Sequence, residues 1–290
     1  MNLKTEGATL CLVDGTYELF RAFYGPPGRK SSTGLEIGAT VGLGKSLLSL
    51  ARSGRFSHLA VAFDSVVESF RNELFEGYKT GEGMDPALFA QFPLAEKIAE
   101  ALGLCVLRMV EFEADDALCT LAARFASDPR VGQVVIASPD KDLMQCVSPG
   151  VVTWDRMREK YYDEAAVVEK MGVPPSAICD YLALVGDSAD GIPGIPRWGA
   201  RSSSLLLRRY GNIASIPGSA SEWDIKVRGA AALAEQLRAH RKELALYRTL
   251  ATLRRDVPLE IEWEDLEYRG TDPSKCAQLS EELGVSLGDW

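Results

Sequence analysis

Three apolar stretches of this chain run into an aspartate: Leu12-Val13-Asp14, Ala62-Phe63-Asp64 and, after two intervening residues, Ala137-Ser138-Pro139-Asp140. They belong to a set of four β-type runs in the first half, Thr9 to Val13, Leu59 to Phe63, Leu104 to Met109 and Val134 to Ala137. Helical patterns lie between them, over Val41 to Arg52, Ala87 to Leu102 and Asp115 to Ala126. This alternation predicts an α/β fold, a mostly parallel sheet with helices on both faces. Ligands of such sheets bind at the carboxyl ends of the strands, so the three aspartates are expected on one rim. From about Pro174 the β signal fades. Ala177 to Val185, Ser202 to Tyr210 and Ala230 to Leu253 read as helices, followed by a short β-like run at Leu259 to Trp263. The expected division is an α/β core over 1–173 and a mainly helical region with a tail over 174–290.

Composition narrows the chemistry. The chain has 290 residues, 46% of them hydrophobic, enough for one large core or two smaller ones at roughly 100 to 200 residues per domain. No run reaches the roughly 18 apolar residues of a membrane helix. Met1 to Leu12 lacks a small-residue cleavage site and is expected to begin the fold rather than to direct secretion. The 6 cysteines are scattered without a Cys-x-x-Cys pair, which fits a reducing cytoplasm and no zinc. With 2 histidines in all, a Ser-His-Asp triad or a His-rich metal site is disfavoured. Any chemistry must rest on carboxylates.

Charge is unevenly distributed. Residues 1–190 hold 18 Lys+Arg against 27 Asp+Glu, a balance of −9; residues 191–255 hold 12 against 4, or +8; residues 256–290 hold 2 against 10, or −8. The basic middle segment is the footprint of phosphate-backbone binding, although a solvated helical face would look similar.

Acids recur beyond the strand ends. Asp140 is followed by Asp142 in a Pro-Asp-Lys-Asp turn. Glu113, Asp115 and Asp116 open a helix after the third strand, with Glu113 and Asp116 on one face. Asp187 and Asp190 sit three apart in the Gly-flanked turn Gly186 to Gly191. Taken singly, an aspartate after a strand is more often a helix N-cap, Glu113 to Asp116 a favourable first turn, and Asp187 with Asp190 a calcium-like turn. Together with Asp14 and Asp64 they make nine acids. Brought to one place they would repel by several kcal/mol unless cations neutralised them. Oxygen-only ligands select Mg²⁺ or Mn²⁺, and nine carboxylates exceed the capacity of one octahedral ion, so two or more metals are implied.

Between the second strand and the next acids lies Ser69 to Lys79, containing Arg71, Tyr78 and Lys79. A lysine beside metals can pair with phosphate, and a tyrosine ring can stack on a base. Ala39 to Ser46 matches a loose P-loop pattern, but its apolar residues continue helically and no strand precedes it, so no nucleotide cofactor is expected.

The ordered set Val13-Asp14-Gly15, Phe63-Asp64, Phe70-Arg71 with Gly77-Tyr78-Lys79, Glu113-Ala-Asp115-Asp116, Asp140-Lys-Asp142 and Gly186-Asp187-Ser-Ala-Asp190 resembles the 5′-nuclease family of flap endonucleases and 5′-3′ exonucleases. The resemblance covers roughly Leu10 to Trp263. It implies a PIN-like nuclease core followed by a helix-three-turn-helix element that grips duplex DNA. It also implies that Asp14, Asp64, Glu113, Asp115, Asp116, Asp140, Asp142, Asp187 and Asp190 are divalent-metal ligands, Lys79 the catalytic-site lysine and Tyr78 a substrate contact. Arg71 is expected to join Lys79 on the phosphate. Gly194, Arg197, Gly199 and Arg201 are expected to contact nucleic acid. Some positions depart from the family pattern. Arg197 replaces the first glycine of a Gly-x-Gly hairpin while Gly199 remains, Gly191 stands where Asn is common, and Glu82 follows Tyr-Lys where Arg is common. Gly81 to Asp85, the expected arch, carries no basic residue.

The resulting expectation is a metal-dependent 5′-nuclease without a polymerase domain. It would cleave DNA at 5′ flaps, 5′ ends or nicks to leave a 5′-phosphate and a 3′-hydroxyl, as a cytoplasmic monomer without membrane contact. Two other readings remain: a catalytically weak DNA-structure-binding protein on the same scaffold, and a Mg²⁺-dependent small-phosphate hydrolase, which would leave the basic segment idle.

Overall fold

The computed structural model describes residues 7–25 and 27–287. The expectation for Met1 to Leu12 falls partly outside these residues, at positions 1–6. In chain order the elements begin β1 (Ala8–Asp14), α1 (Gly15–Tyr24), α2 (Gly38–Arg52), β2 (His58–Asp64), α3 (Phe70–Leu74), α4 (Pro86–Phe89) and α5 (Phe92–Ala101). They continue with β3 (Cys105–Met109), α6 (Ala114–Phe125), β4 (Val131–Ala137), β5 (Val151–Asp155), β6 (Lys160–Tyr162) and α7 (Glu164–Met171). The last are α8 (Ile178–Val185), α9 (Ala200–Tyr210), α10 (Ala230–Ala239), α11 (Arg241–Ala251) and α12 (Pro273–Leu283). The described residues form two compact units, one of 7–25, 27–67, 81–138 and 255–287, the other of 68–80 and 139–254.

In the first unit β1 pairs in parallel with β2 and β4, and β2 in parallel with β3. Val13 is in register with both Val61 and Ala137, which aligns the carboxyl ends of β1, β2 and β4. Leu10, Cys11, Leu12 and Val13 are all fully buried. Since alternate strand residues point to opposite faces, this requires cover on both. Helix α6 packs on all four strands, while α1, α2 and α5 pack on one another and form a second layer. The expected α/β architecture is present. The P-loop-like stretch lies wholly inside α2, as its helical periodicity indicates.

The segment after residue 255 closes the first unit. The β-like run Leu259 to Trp263 forms no strand, a correction to the sequence reading. Arg124 donates to the carbonyls of Ile261 and Leu259 at 2.8 and 3.1 Å, so a side chain supplies the partners that a sheet would have given. Trp263 then stacks on His58. Cys105 and Cys276 are free thiols here, whereas Cys119 is disulfide-bonded, which corrects the picture of uniformly reduced cysteines.

The second unit is mainly helical, with β5 and β6 as an antiparallel hairpin. Its core gathers Ile178 and Leu182 of α8, Leu206 of α9, Leu233 of α10 and Leu250 of α11, together with Trp198. The Trp198 indole donates to the Leu233 carbonyl at 3.2 Å, anchoring the loop that precedes α9. No helix among the described residues is long and apolar enough to cross a membrane.

Candidate metal centre

The acids that the sequence singles out divide between the two units, five in the first and four in the second. In the first, Asp14 ends β1 and caps α1, accepting from the Tyr17 amide at 2.8 Å. Its second oxygen accepts from the Ser138 hydroxyl at 2.9 Å. Asp64 ends the adjacent β2 and accepts from the Ala114 amide at 2.8 Å, while its own amide donates to Thr16 Oγ1 at 2.8 Å. Ala114 opens α6, so Asp64 faces the turn that carries Glu113, Asp115 and Asp116. Glu113 and Asp116 cap each other's backbone amides, and both are buried. The capping roles considered from sequence are therefore real for Asp14, Glu113 and Asp116. They orient these carboxylates at the ends of parallel strands, where the positive end of a helix favours acids.

In the second unit Asp142, Asp187 and Asp190 each offer a carboxylate oxygen, and these oxygens lie within 4.8 Å of one another. Asp140 Oδ1 accepts from the Asp142 amide at 2.8 Å and fixes the Pro-Asp-Lys-Asp turn. Paired backbone hydrogen bonds of 2.8 Å between Asp187 and Ile192 close the turn that carries the other two acids. Gly191 makes that turn possible. Its φ is +74°, and a Cβ there would lie 2.1 Å from the Gly77 carbonyl oxygen. Two lysines meet the cluster. Lys79 Nζ lies 3.1 Å from Asp190, and Lys141 Nζ lies 2.5 Å from Asp187 and 3.5 Å from Asp142.

The electrostatics are those of a site short of positive charge. Burial, then the neighbouring Asp140, holds the Asp142 carboxyl well above the ordinary carboxylate value; Asp190 and Asp187 add to the shift, which Lys141 only partly offsets. Asp142 Oδ1 is buried without a hydrogen-bond partner. Burial alone would lower the Lys141 ammonium, but Asp142, Asp187 and Asp140 outweigh it and raise its pKa. A carboxylate oxygen left without a hydrogen bond inside an all-oxygen donor set fits a hard divalent cation.

Several expected contacts need correction. Arg71 is fully buried, donates to the carbonyls of Leu250 and Thr252 at 2.8 and 3.0 Å and lies over the Phe70 ring, so it braces backbone rather than meeting a phosphate. Tyr78 is 3% exposed and part of the helical core, which leaves no open ring face for a base. Gly194 is buried against the Val185–Gly186 backbone, where a Cβ would come within 2.5 Å, so it is a packing glycine. Arg197, Gly199 and Arg201 are exposed, as a nucleic-acid surface requires. Gly199 is the N-cap of α9 and has open space around it. Sequence reasoning overlooked Lys141 and Ser138. The sign of Lys141 inside Asp-Lys-Asp was the available clue; Ser138 had none beyond its place after β4.

An α/β sheet in which adjacent strands β1 and β2 end in aspartates, joined in one chain to a helical unit with a carboxylate trio, defines the class of oxygen-liganded, divalent-metal enzymes. Family comparison makes this specific. Residues 9–172 match the 5′-3′ exonuclease N-terminal resolvase-like domain, and residues 173–274 match the 5′-3′ exonuclease C-terminal SAM fold. The chain belongs to the 5′-3′ exonuclease family. It is 33% identical over 276 residues to a 5′-3′ exonuclease of Aquifex aeolicus, covering 95% of this chain and 92% of that one. It is 35% identical to DNA polymerase I of Bacillus caldotenax, again over 95% of this chain but only 31% of the larger protein. The chain thus spans under a third of that polymerase relative. In fold it is similar to T5 5′-exonuclease with divalent zinc bound, with a TM-score of 0.66, 20% identity and coverage of 84% of this chain and 89% of that one. It is also similar to the catalytic core of Rad2 in complex with DNA substrate, with a TM-score of 0.60, 13% identity and coverage of 100% and 91%.

Proposed function

We infer that this chain is a Mg²⁺- or Mn²⁺-dependent 5′-nuclease that hydrolyses DNA phosphodiester bonds at 5′ flaps, 5′ ends or nicks, in DNA replication and repair. The observation that carries the reading is the trio of Asp142, Asp187 and Asp190, with an Asp142 oxygen that no hydrogen bond satisfies. Asp14, Asp64, Glu113, Asp115, Asp116 and Asp140 complete the ligand set, directly or through water.

Bound divalent ions would supply a water of lowered pKa and positive charge opposite the phosphate. The chain's own groups do the rest. Lys79, already within 3.1 Å of Asp190, pairs with a non-bridging phosphate oxygen as negative charge builds there. Lys141 holds the trio together before the ions arrive. Arg197, Arg201 and the uncapped amides of α9 receive the backbone of the duplex. The protein acts in this reading as a cytoplasmic monomer with a core over 1–173 and a DNA-gripping region over 174–290.

The test is cleavage of a labelled 5′-flap duplex with Mg²⁺, with Mn²⁺ and with chelator, for the natural chain and for Asp187→Asn. Expected are metal-dependent products ending in 5′-phosphate and a loss of about 100-fold or more in the variant. Binding of the flap without turnover under any metal would favour the DNA-structure-binding alternative.

A further inference from the structure

Lys79 lies outside every helix and strand, and Thr80 is the last residue of its unit before the chain passes to the first. A lysine carries its charge on a flexible four-carbon stem, so an irregular segment gives that charge a defined place only if the backbone beneath it is held. The peptide groups on either side of Lys79 are both held. Its amide donates to the Asp190 carbonyl at 3.1 Å, and its carbonyl accepts from Asn72 Nδ2 at 2.9 Å. The first bond goes to the residue whose carboxylate its own Nζ approaches at 3.1 Å, so backbone and ammonium are aligned on Asp190 together. Asn72 is fixed in turn. Its Oδ1 accepts from the Ser69 amide at 2.8 Å as the third-residue member of the capping box that opens α3. A carboxamide offers an acceptor and a donor in one plane, and Asn72 spends the first on the helix start and the second on the lysine. A carboxylate could serve only the first.

We propose that Asn72 is the positioning residue of Lys79: by tying the Lys79 carbonyl to the start of α3, it sets where the ammonium stands when a phosphate arrives. The proposal rests on the nuclease reading, in which Lys79 meets negative charge as it builds on the phosphate. Loss of the bridge frees the peptide after Lys79 to turn and moves the ammonium without removing it. An interaction realised in the transition state is lost from kcat rather than from KM.

The experiment is 5′-flap cleavage by the full chain and by Asn72→Asp, Asn72→Gln, Lys79→Ala and the double variant of Asn72→Asp with Lys79→Ala, with a denaturant melt of each. Asn72→Asp keeps the acceptor for Ser69 and removes the donor, while Asn72→Gln keeps both kinds of group at a position where capping boxes accept Gln. Asn72→Asp is expected to lower kcat by about tenfold, with KM, stability and the Mg²⁺ concentration for half-maximal rate unchanged. Asn72→Gln should recover most of the rate. In the Lys79→Ala background Asn72→Asp should cost nothing further, because the two changes remove one function. Losses that multiply in the double variant would make Asn72 a general structural residue, and a raised Mg²⁺ requirement would place its effect on the acids; either result overturns the proposal, as does an undiminished rate in Asn72→Asp. Each of these requires that the natural chain cleave the flap. A natural chain without metal-dependent cleavage would instead remove the nuclease reading, and the role of Asn72 with it.

Discussion

Lys141 Nζ lies 2.5 Å from Asp187 Oδ2, placing an ammonium group within a trio of carboxylates that has one buried oxygen without a hydrogen bond. A lysine so placed serves as an internal counterion, screening repulsion until stronger charge arrives. Lys141→Ala should therefore destabilise the metal-free protein. The Lys141 side chain is 39% exposed, so solvent screening limits the loss to about 1 kcal/mol. Divalent cation should restore it, which makes the Mg²⁺-induced rise in Tm larger in the variant. Thermal melts with and without Mg²⁺ check this; equal metal-induced shifts would show that Lys141 is no counterion.

Asp142 gives the pH dependence. Its folded pKa is raised by burial and then by Asp140, so the protonated carboxyl favours the folded state. That contribution is full below the ordinary carboxylate value and is lost as pH rises through the raised folded value. Metal requires the ionised form, so Mg²⁺ affinity should fall and proton release on binding should grow as pH drops through this window. Asp142→Asn should raise the metal-free Tm at neutral pH while abolishing the metal response. Calorimetric titration of Mg²⁺ in buffers of different ionisation enthalpy measures the proton count. A pH-independent affinity would contradict the assignment.

The parts of this arrangement legible in the sequence are those written in short, local signals. Buried strands of a parallel sheet are continuous apolar runs, so Leu10 to Val13 and Leu59 to Phe63 stand out together with the aspartates behind them. Strands β5 and β6 do not, because Lys160 to Tyr162 spans three residues and its pairing depends on a partner across a hairpin. The stretch from Ala230 to Leu253 reads as one helix, yet it breaks at His240 without glycine or proline. Ala87 to Leu102 breaks near Gln91, whose side-chain oxygen accepts from the amide and hydroxyl of Thr40, a contact 51 residues away in sequence. Residue type is readable; burial is not. Arg71 and Tyr78 carry the right chemistry for substrate contact, and only tertiary packing shows that both face inward.

Arg71 accordingly separates two outcomes. If its guanidinium held a phosphate, Arg71→Ala would raise KM for DNA at unchanged stability. The structure instead predicts a stability loss of about 3 kcal/mol or more, because the carbonyls of Leu250 and Thr252 lose buried donors and a large side chain leaves a cavity. Denaturant melts combined with flap-cleavage kinetics on the remaining folded fraction decide between them. A variant of normal stability and impaired DNA binding would return Arg71 to the substrate.

Ser138 tests the positioning of the first unit's acids without removing one. Its hydroxyl donates to Asp14 Oδ2 at 2.9 Å in a buried setting, while Asp14 Oδ1 remains tied to the Tyr17 amide. Ser138→Ala removes one of the hydrogen bonds that orient Asp14 but leaves the helix cap intact, so the stability cost should stay near about 1 kcal/mol. If Asp14 is a metal ligand, kcat should fall by about tenfold with KM for the flap little changed, and the Mg²⁺ concentration for half-maximal rate should rise. Ser138→Thr, which keeps the hydroxyl, should recover most of the rate. Asp14→Ala would remove cap and ligand at once and lower stability by about 1 kcal/mol beside a far larger loss of cleavage. A Ser138→Ala enzyme with unaltered rate and metal requirement would mean that the orientation of Asp14 is irrelevant to the reaction, and with it the role proposed for Asp14 as a ligand.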